Sequence, residues 1–165
     1  MGGVNTIPHP RSLHSSRTFR TRLIALAGFA FALVAATLRA DTRHATLAAI
    51  HAVENPRNVT RPGRCGELGA YQFREATWRM HTAEPFARAL DRAASDAVAV
   101  RHYEWLRRGL ERAGLSPTAY RIALAWNGGL AATVRGSAPR AAHGYAERVA
   151  NLAAEFAAEG GGSGE

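Results

Sequence analysis

One stretch of this chain cannot be regular helix, and the sequence on both sides of it can. Residues 55–73 read Asn-Pro-Arg-Asn-Val-Thr-Arg-Pro-Gly-Arg-Cys-Gly-Glu-Leu-Gly-Ala-Tyr-Gln-Phe, with two prolines and three glycines. Proline lacks the backbone donor and glycine loses the most entropy in a helix, so this segment predicts turns with at most a small hairpin ending at residues 70–73. Upstream, residues 42–54 predict a helix capped by Thr42 or Asp41, with Leu47, Ile50 and Glu54 on one face. Downstream, residues 74–80 predict a short helix, and Pro85 opens another running to about Ala94. Ser95 is placed to cap a long helix to Ala113, with Gly114 as its stop. Ser116-Pro117 opens the next helix, ending near Trp126, and the last carries an apolar stripe of Tyr145, Val149, Leu152 and Phe156. The fold class is mostly α, with a small irregular or β insertion after the first of these helices.

The N-terminus reads differently. Arg11, Arg17, Arg20 and Arg22 form a basic leader, Leu23 to Leu38 is an uncharged apolar run, and Ala40 precedes the polar Asp41. Basic, apolar, then small is the order of a secretory signal peptide, and the run is shorter than the ~20 residues that span a bilayer comfortably. Residues 1–40 are therefore expected to be a signal peptide, or an uncleaved anchor through which alone the protein would meet a membrane. Either places residues 41–159, one domain, in the periplasm or outside the cell. The glycine-rich residues 160–165 are expected to be a disordered tail.

Charge follows from this division. The formal net charge of +8 includes five leader arginines, and the remainder holds 16 arginines against 13 acids. A balance of about +3 suits an anionic polymer but gives no footprint for nucleic acid, which calls for a clustered basic face. Arg57, Arg61 and Arg64 are the only tight cluster, in the loop after the first helix. Cys65 is the only cysteine, so no intrachain disulfide is possible, and a lone cysteine is usually a small packed residue. His44, His51, His81, His102 and His143 show no metal-ligand spacing, so neither a metal nor a cofactor is expected, although His51, one turn before Glu54, is placed to tune it.

Glu54 carries the chemistry. A carboxyl on the face shared with Leu47 and Ile50 is costly in its charged form, so its pKa rises, and a carboxylic acid still protonated near neutrality can act as a general acid. After it come Gly69-Ala70-Tyr71-Gln72-Phe73, then Thr77-Trp78, then Ala125-Trp126-Asn127-Gly128-Gly129, then Tyr145-Ala146-Glu147. In that order these motifs resemble the lytic transglycosylase catalytic domain of the lysozyme-like superfamily, related to goose-type lysozyme, across about residues 45–152. In that family a glutamate ends a helix, a glycine-x-x-glutamine strand follows, then an alanine-tyrosine-asparagine-alanine-glycine turn, and a tyrosine opens the closing helix. Here Asn55 replaces the usual serine after the glutamate, Trp126 the usual tyrosine and Gly128 the usual alanine.

The resemblance implies a lysozyme-like fold acting on peptidoglycan glycan strands. Glu54 would protonate the oxygen between N-acetylmuramic acid and N-acetylglucosamine, then serve as base while the muramic primary hydroxyl closes a 1,6-anhydro ring. Tyr71, Gln72, Trp126 and Asn127 would meet the substrate, and the hydroxyl of Tyr145 would reach toward the acid. Asn127 either bonds a substrate amide or supports its own turn. Trp78 and Trp105 read as core. Glu67 is either a second carboxylate, as a water-using lysozyme-like hydrolase would need, or a solvated loop residue. A glycan-binding module without catalysis is the remaining alternative.

Overall fold

Helix formation here follows the apolar stripes closely. The computed structural model describes residues 2–3 and 42–161. Apart from Gly2 and Gly3, the leader expected over residues 1–40 lies outside the described residues, as do Asp41 and residues 162–165 of the tail. The described helices all belong to one unit, Arg39–Glu165. Among the described residues no helix is long and apolar enough to cross a membrane.

Helix α1 is described over residues 42–54, so Thr42 is already helical rather than its cap. It is followed by α2 (Glu75–Arg79), a 3₁₀ turn (Phe86–Leu90), α3 (Arg92–Arg112), α4 (Ala119–Gly128), α5 (Leu130–Val134) and α6 (Arg140–Gly161). The protein is therefore mostly helical. The segment between α1 and α2 holds a single antiparallel bridge, Leu68 to Phe73, whose two backbone bonds are 3.0 and 2.9 Å long. The hairpin expected there shrinks to this one pair, because Gly69 to Gln72 are used up in the turn joining it.

Helix boundaries differ from the sequence reading where two caps compete. Asp91, not Ser95, caps α3: its carboxylate accepts from the Ala94 N–H at 2.8 Å. Ser95 lies inside the helix, fully buried. The helix opened by Pro85 is only the 3₁₀ turn, since α3 starts four residues earlier than a cap at Ser95 allows. Thr118, not Ser116, caps α4. Helix α6 extends through Gly160 and Gly161, so these two residues, expected in a disordered tail, are helical. Cys65 is exposed rather than packed.

Helix α4 is the axis of the core. Ile122, Ala123, Leu124 and Ala125 are consecutive and all buried, which requires neighbours on every side. The helix packs extensively on α6, whose inner stripe is Ala142, Tyr145, Ala146, Val149 and Ala153. Small residues on this stripe let the two backbones approach. Trp78, fully buried, satisfies its indole N–H on the Glu84 carbonyl at 2.9 Å. Ile50 and Ala49 of α1 and Leu106 and Leu110 of α3 complete the centre.

The turn after the bridge is pinned at Gly69. Its φ is +79°, and a Cβ there would run into the carbonyl oxygen of Ala89. Gly114 has a similar φ of +73° with open space around the corresponding position. Alanine in the left-handed region costs roughly 1–2 kcal/mol in either place. Gly69→Ala is therefore predicted to cost substantially more than Gly114→Ala, because only the first adds a backbone collision. Urea midpoints of the two variants check this; equal losses would show that the Gly69–Ala89 contact constrains nothing.

Candidate active site

The bend forced by residues 55–73 leaves a cleft of about 530 Å³ between the end of α1, the turn segment, and α3 and α4. Glu54, the last residue of α1, lines it, together with Glu67 and Gln72 from the turn segment and Trp126 and Asn127 from the end of α4. Five of the seven residues expected at the site thus share one cavity. The other two, Tyr71 and Tyr145, stand behind its wall.

Glu54 shares the inner face of α1 with Leu47 and Ile50, both buried. Burial raises its carboxyl above the ordinary range; the neighbouring charge of Glu67 adds to this and the Tyr145 hydroxyl opposes it. The carboxyl also stands at a helix C-terminus, whose partial negative charge disfavours a second one. Tyr145 is 5% exposed, and its hydroxyl makes no well-formed hydrogen bond within the described protein. The group that hydroxyl faces is Glu54, close enough that burial and the Glu54 charge both push the phenol upward. The pair is thus juxtaposed but not tightly bonded.

Glu67 is biased in the opposite direction. Its Oε2 accepts from the Cys65 N–H at 2.9 Å, and its Oε1 lies 3.5 Å from Arg74 Nε. The backbone N–H groups of Cys65 and of Glu67 itself, with Arg74, hold this carboxyl below its usual range. Two carboxyls in one cleft therefore have environments that drive their pKa values apart, the arrangement that separates an acid from a carboxylate.

Gln72 turns into the cleft because its backbone adopts φ +45°. Its Nε2 donates to the Gly69 carbonyl at 2.9 Å, which fixes the amide plane and leaves the amide oxygen and a second N–H for other partners. Asn55, 5% exposed, does not flank the acid with a free polar group. Its Nδ2 donates to the Val59 carbonyl at 3.0 Å and the Gly69 carbonyl at 3.1 Å, and its Oδ1 accepts from the Val59 N–H at 2.8 Å. His51 likewise does not tune Glu54: its Nε2 pairs with Asn58 Oδ1 at 3.0 Å.

Tyr71, expected at the substrate, is 4% exposed, and its hydroxyl donates to Asp96 at 2.7 Å. Its ring backs Trp126 at 6.1 Å and so supports the aromatic wall without reaching the cleft. Trp126 is half-buried, with Phe73 at 5.6 Å on one side and His102 edge-on at 4.7 Å on the other. Asn127 is exposed in the last turn of α4 and makes no hydrogen bond among the described residues, which leaves its amide free at the rim. Of the arginine cluster only Arg64 lines the cleft; Arg57 and Arg61 are exposed, and none of the three forms an ion pair among the described residues.

Arg74, Thr77 and His102 also line the cleft, and the sequence did not reveal them as site residues. A signal existed for His102, which stands four residues from both Val98 and Leu106 on the buried stripe of α3. Among the described residues no three His, Cys, Asp or Glu side chains converge as a metal-binding set. No family model matches this chain, and neither a curated protein nor a solved structure matches it.

The raised Glu54 pKa links the site to stability. A carboxyl that holds its proton more tightly folded than unfolded contributes stability that is fully present below the unfolded pKa, near 4.5, and lost as pH rises through the folded value. Glu54→Gln removes that loss. Its stability relative to wild type is predicted to increase as pH rises above 4.5 and then level off, as denaturation across pH 4–8 will show; a pH-independent difference would mean that Glu54 titrates normally.

Proposed function

We propose that this chain is a cell-wall lytic transglycosylase with a lysozyme-like fold, and that Glu54 is its single acid and base. The observation that carries this reading is a carboxyl at the end of α1, raised toward its protonated form by burial, lining an open cleft and facing the buried Tyr145 hydroxyl. An acid so poised can donate to a glycosidic oxygen as the bond to the sugar carbon breaks. The acetamido oxygen of the same sugar assists at that carbon. Glu54, now a carboxylate, takes the proton of the primary hydroxyl while that oxygen bonds to the same carbon and displaces the acetamido group. The proton account closes, no water enters, and the product is an anhydro ring.

Supporting parts of the cleft fit a glycan. Trp126 supplies an aromatic wall, Gln72 and Asn127 supply amides, and Arg64 supplies a positive charge for the carboxylates that wall polymers carry. The leader and its apolar run support export to the envelope, where that polymer is found.

Glu67 favours a second reading, a hydrolase that uses water, because it is a charged carboxylate in the same cleft. Its two oxygens are already engaged by the Cys65 N–H and Arg74, which suits a loop-fixing role better than attack on a sugar.

Glu54→Gln keeps the shape of the acid without its proton. General acid catalysis is worth about 10²–10⁴-fold, so turbidity clearance of purified wall should slow at least about a hundredfold while the circular dichroism spectrum stays native. Glu67→Gln should retain most of the rate; a loss matching that of Glu54→Gln would favour the hydrolase. A folded Glu54→Gln protein that clears wall at the wild-type rate would refute both.

A further inference from the structure

The wall of the cleft facing α3 holds a histidine pair. His102 is 7% exposed and lines the cleft. Its Nδ1 lies 2.9 Å from Nε2 of His81, the residue that follows the short helix α2 by two positions. The ring is clamped as well as bonded. It stacks on Trp105 at 5.7 Å with the planes only 12° apart, and meets Trp126 edge-on at 4.7 Å. A side chain held by one hydrogen bond and two aromatic rings has no rotamer freedom left to lose on binding a ligand.

The remaining nitrogen of His102, Nε2, has no protein partner among the described residues and is not sealed from solvent. It is therefore the open end of a two-ring chain. One proton lies between the rings, and its position dictates the rest. With His81 Nε2 donating, His102 accepts at Nδ1 and must carry its own proton at Nε2, on the ring that lines the cleft. Burial favours the neutral imidazole in both rings, most strongly in His102, which is lowered to about 3. A neutral imidazole offers one N–H donor and carries no charge, so it can donate to an uncharged carbonyl oxygen without leaving a buried cation unpaired.

We propose that His102 is a substrate-binding residue, that it presents an Nε2–H to an amide carbonyl of the bound sugar chain, and that His81 sets its tautomer. This rests on the glycan reading of the cleft, in which the acetamido group is the neutral acceptor a wall sugar repeats along its length. His102 touches the sugar and His81 acts through it.

The test uses the full chain and a tetramer of N-acetylglucosamine as probe, beside the same tetramer without its acetyl groups. Histidine ¹⁵N spectra of the wild type should show His102 protonated at Nε2, with that resonance moving when the acetylated tetramer is added. A single neutral hydrogen bond is worth about 0.5–1.5 kcal/mol, so His102→Phe should bind the acetylated tetramer roughly three- to tenfold more weakly and lose part of the preference for acetylated over bare sugar. On wall, KM should rise more than kcat falls. His102→Gln, which restores an N–H donor, should recover part of the affinity. A bound complex in which His102 is protonated at Nδ1, an Nε2 resonance that ignores the tetramer, or a tetramer that fails to bind the wild type would overturn the proposal. The spectra are read on the wild type, so they decide even if the Phe variant does not fold. Wall clearance by wild type against Glu54→Gln decides separately whether the glycan reading itself has failed.

Discussion

The carbonyl oxygen of Gly69 is where the site is tied together. It accepts from Asn55 Nδ2 at 3.1 Å and from Gln72 Nε2 at 2.9 Å, while the α-carbon of the same residue is lodged against the Ala89 carbonyl. Asn55 immediately follows the catalytic candidate, and Gln72 is the amide that turns into the cleft. One residue thus fixes the end of α1, the turn over the cleft and the approach of that turn to the 3₁₀ turn before α3. Each of these amides also has a cost if unpaired: a buried polar group without its partner loses about 1–3 kcal/mol. The turn therefore holds its shape although it carries a single bridged residue pair rather than a ladder.

The helices were legible in the sequence because their apolar residues recur at helical spacing, as Leu47 and Ile50 do in α1 and Tyr145 and Val149 do in α6. Their ends were less so. Asp91 and Ser95 can both cap a helix, and what separates them is that Ser95 is needed in the core beneath Gly69, which no local pattern states. Helix α5 escaped notice because Gly128-Gly129 directly before it reads as a turn rather than a helix start. In the candidate site, Glu54, Gln72, Trp126 and Asn127 could be named in advance from the order of the motifs, and Glu67 only as a carboxylate in the turn segment with a solvated loop residue as its alternative. Tyr71 was misplaced for a physical reason: in a turn with a left-handed Gln72, neighbouring side chains do not alternate as strand residues do, so Tyr71 turns inward toward Asp96. His102 was missed because its partner His81 is 21 positions away and only the packing of α3 beside the segment after α2 brings them together.

The proposed chemistry rests on an asymmetry between two carboxyls. Glu54 is largely buried and has a neighbouring negative charge, with only the nearby Tyr145 phenol to offset this. Glu67 has two backbone N–H groups and a guanidinium. Interchanging these environments would leave a charged group at the end of α1 and no acid in the cleft. The aromatic wall contributes in the same sense, since Phe73 and Trp126 limit water on one side while the rim residues Asn127 and Arg64 stay exposed.

Whether the protein breaks the glycan bond as proposed, and with or without water, can be read directly from the products. Purified wall digested in water enriched in ¹⁸O distinguishes the two outcomes by mass. Ring closure driven by Glu54 predicts anhydro-muramic ends lighter by one water and free of ¹⁸O, at a rate that collapses in Glu54→Gln. Reducing ends carrying ¹⁸O would contradict it.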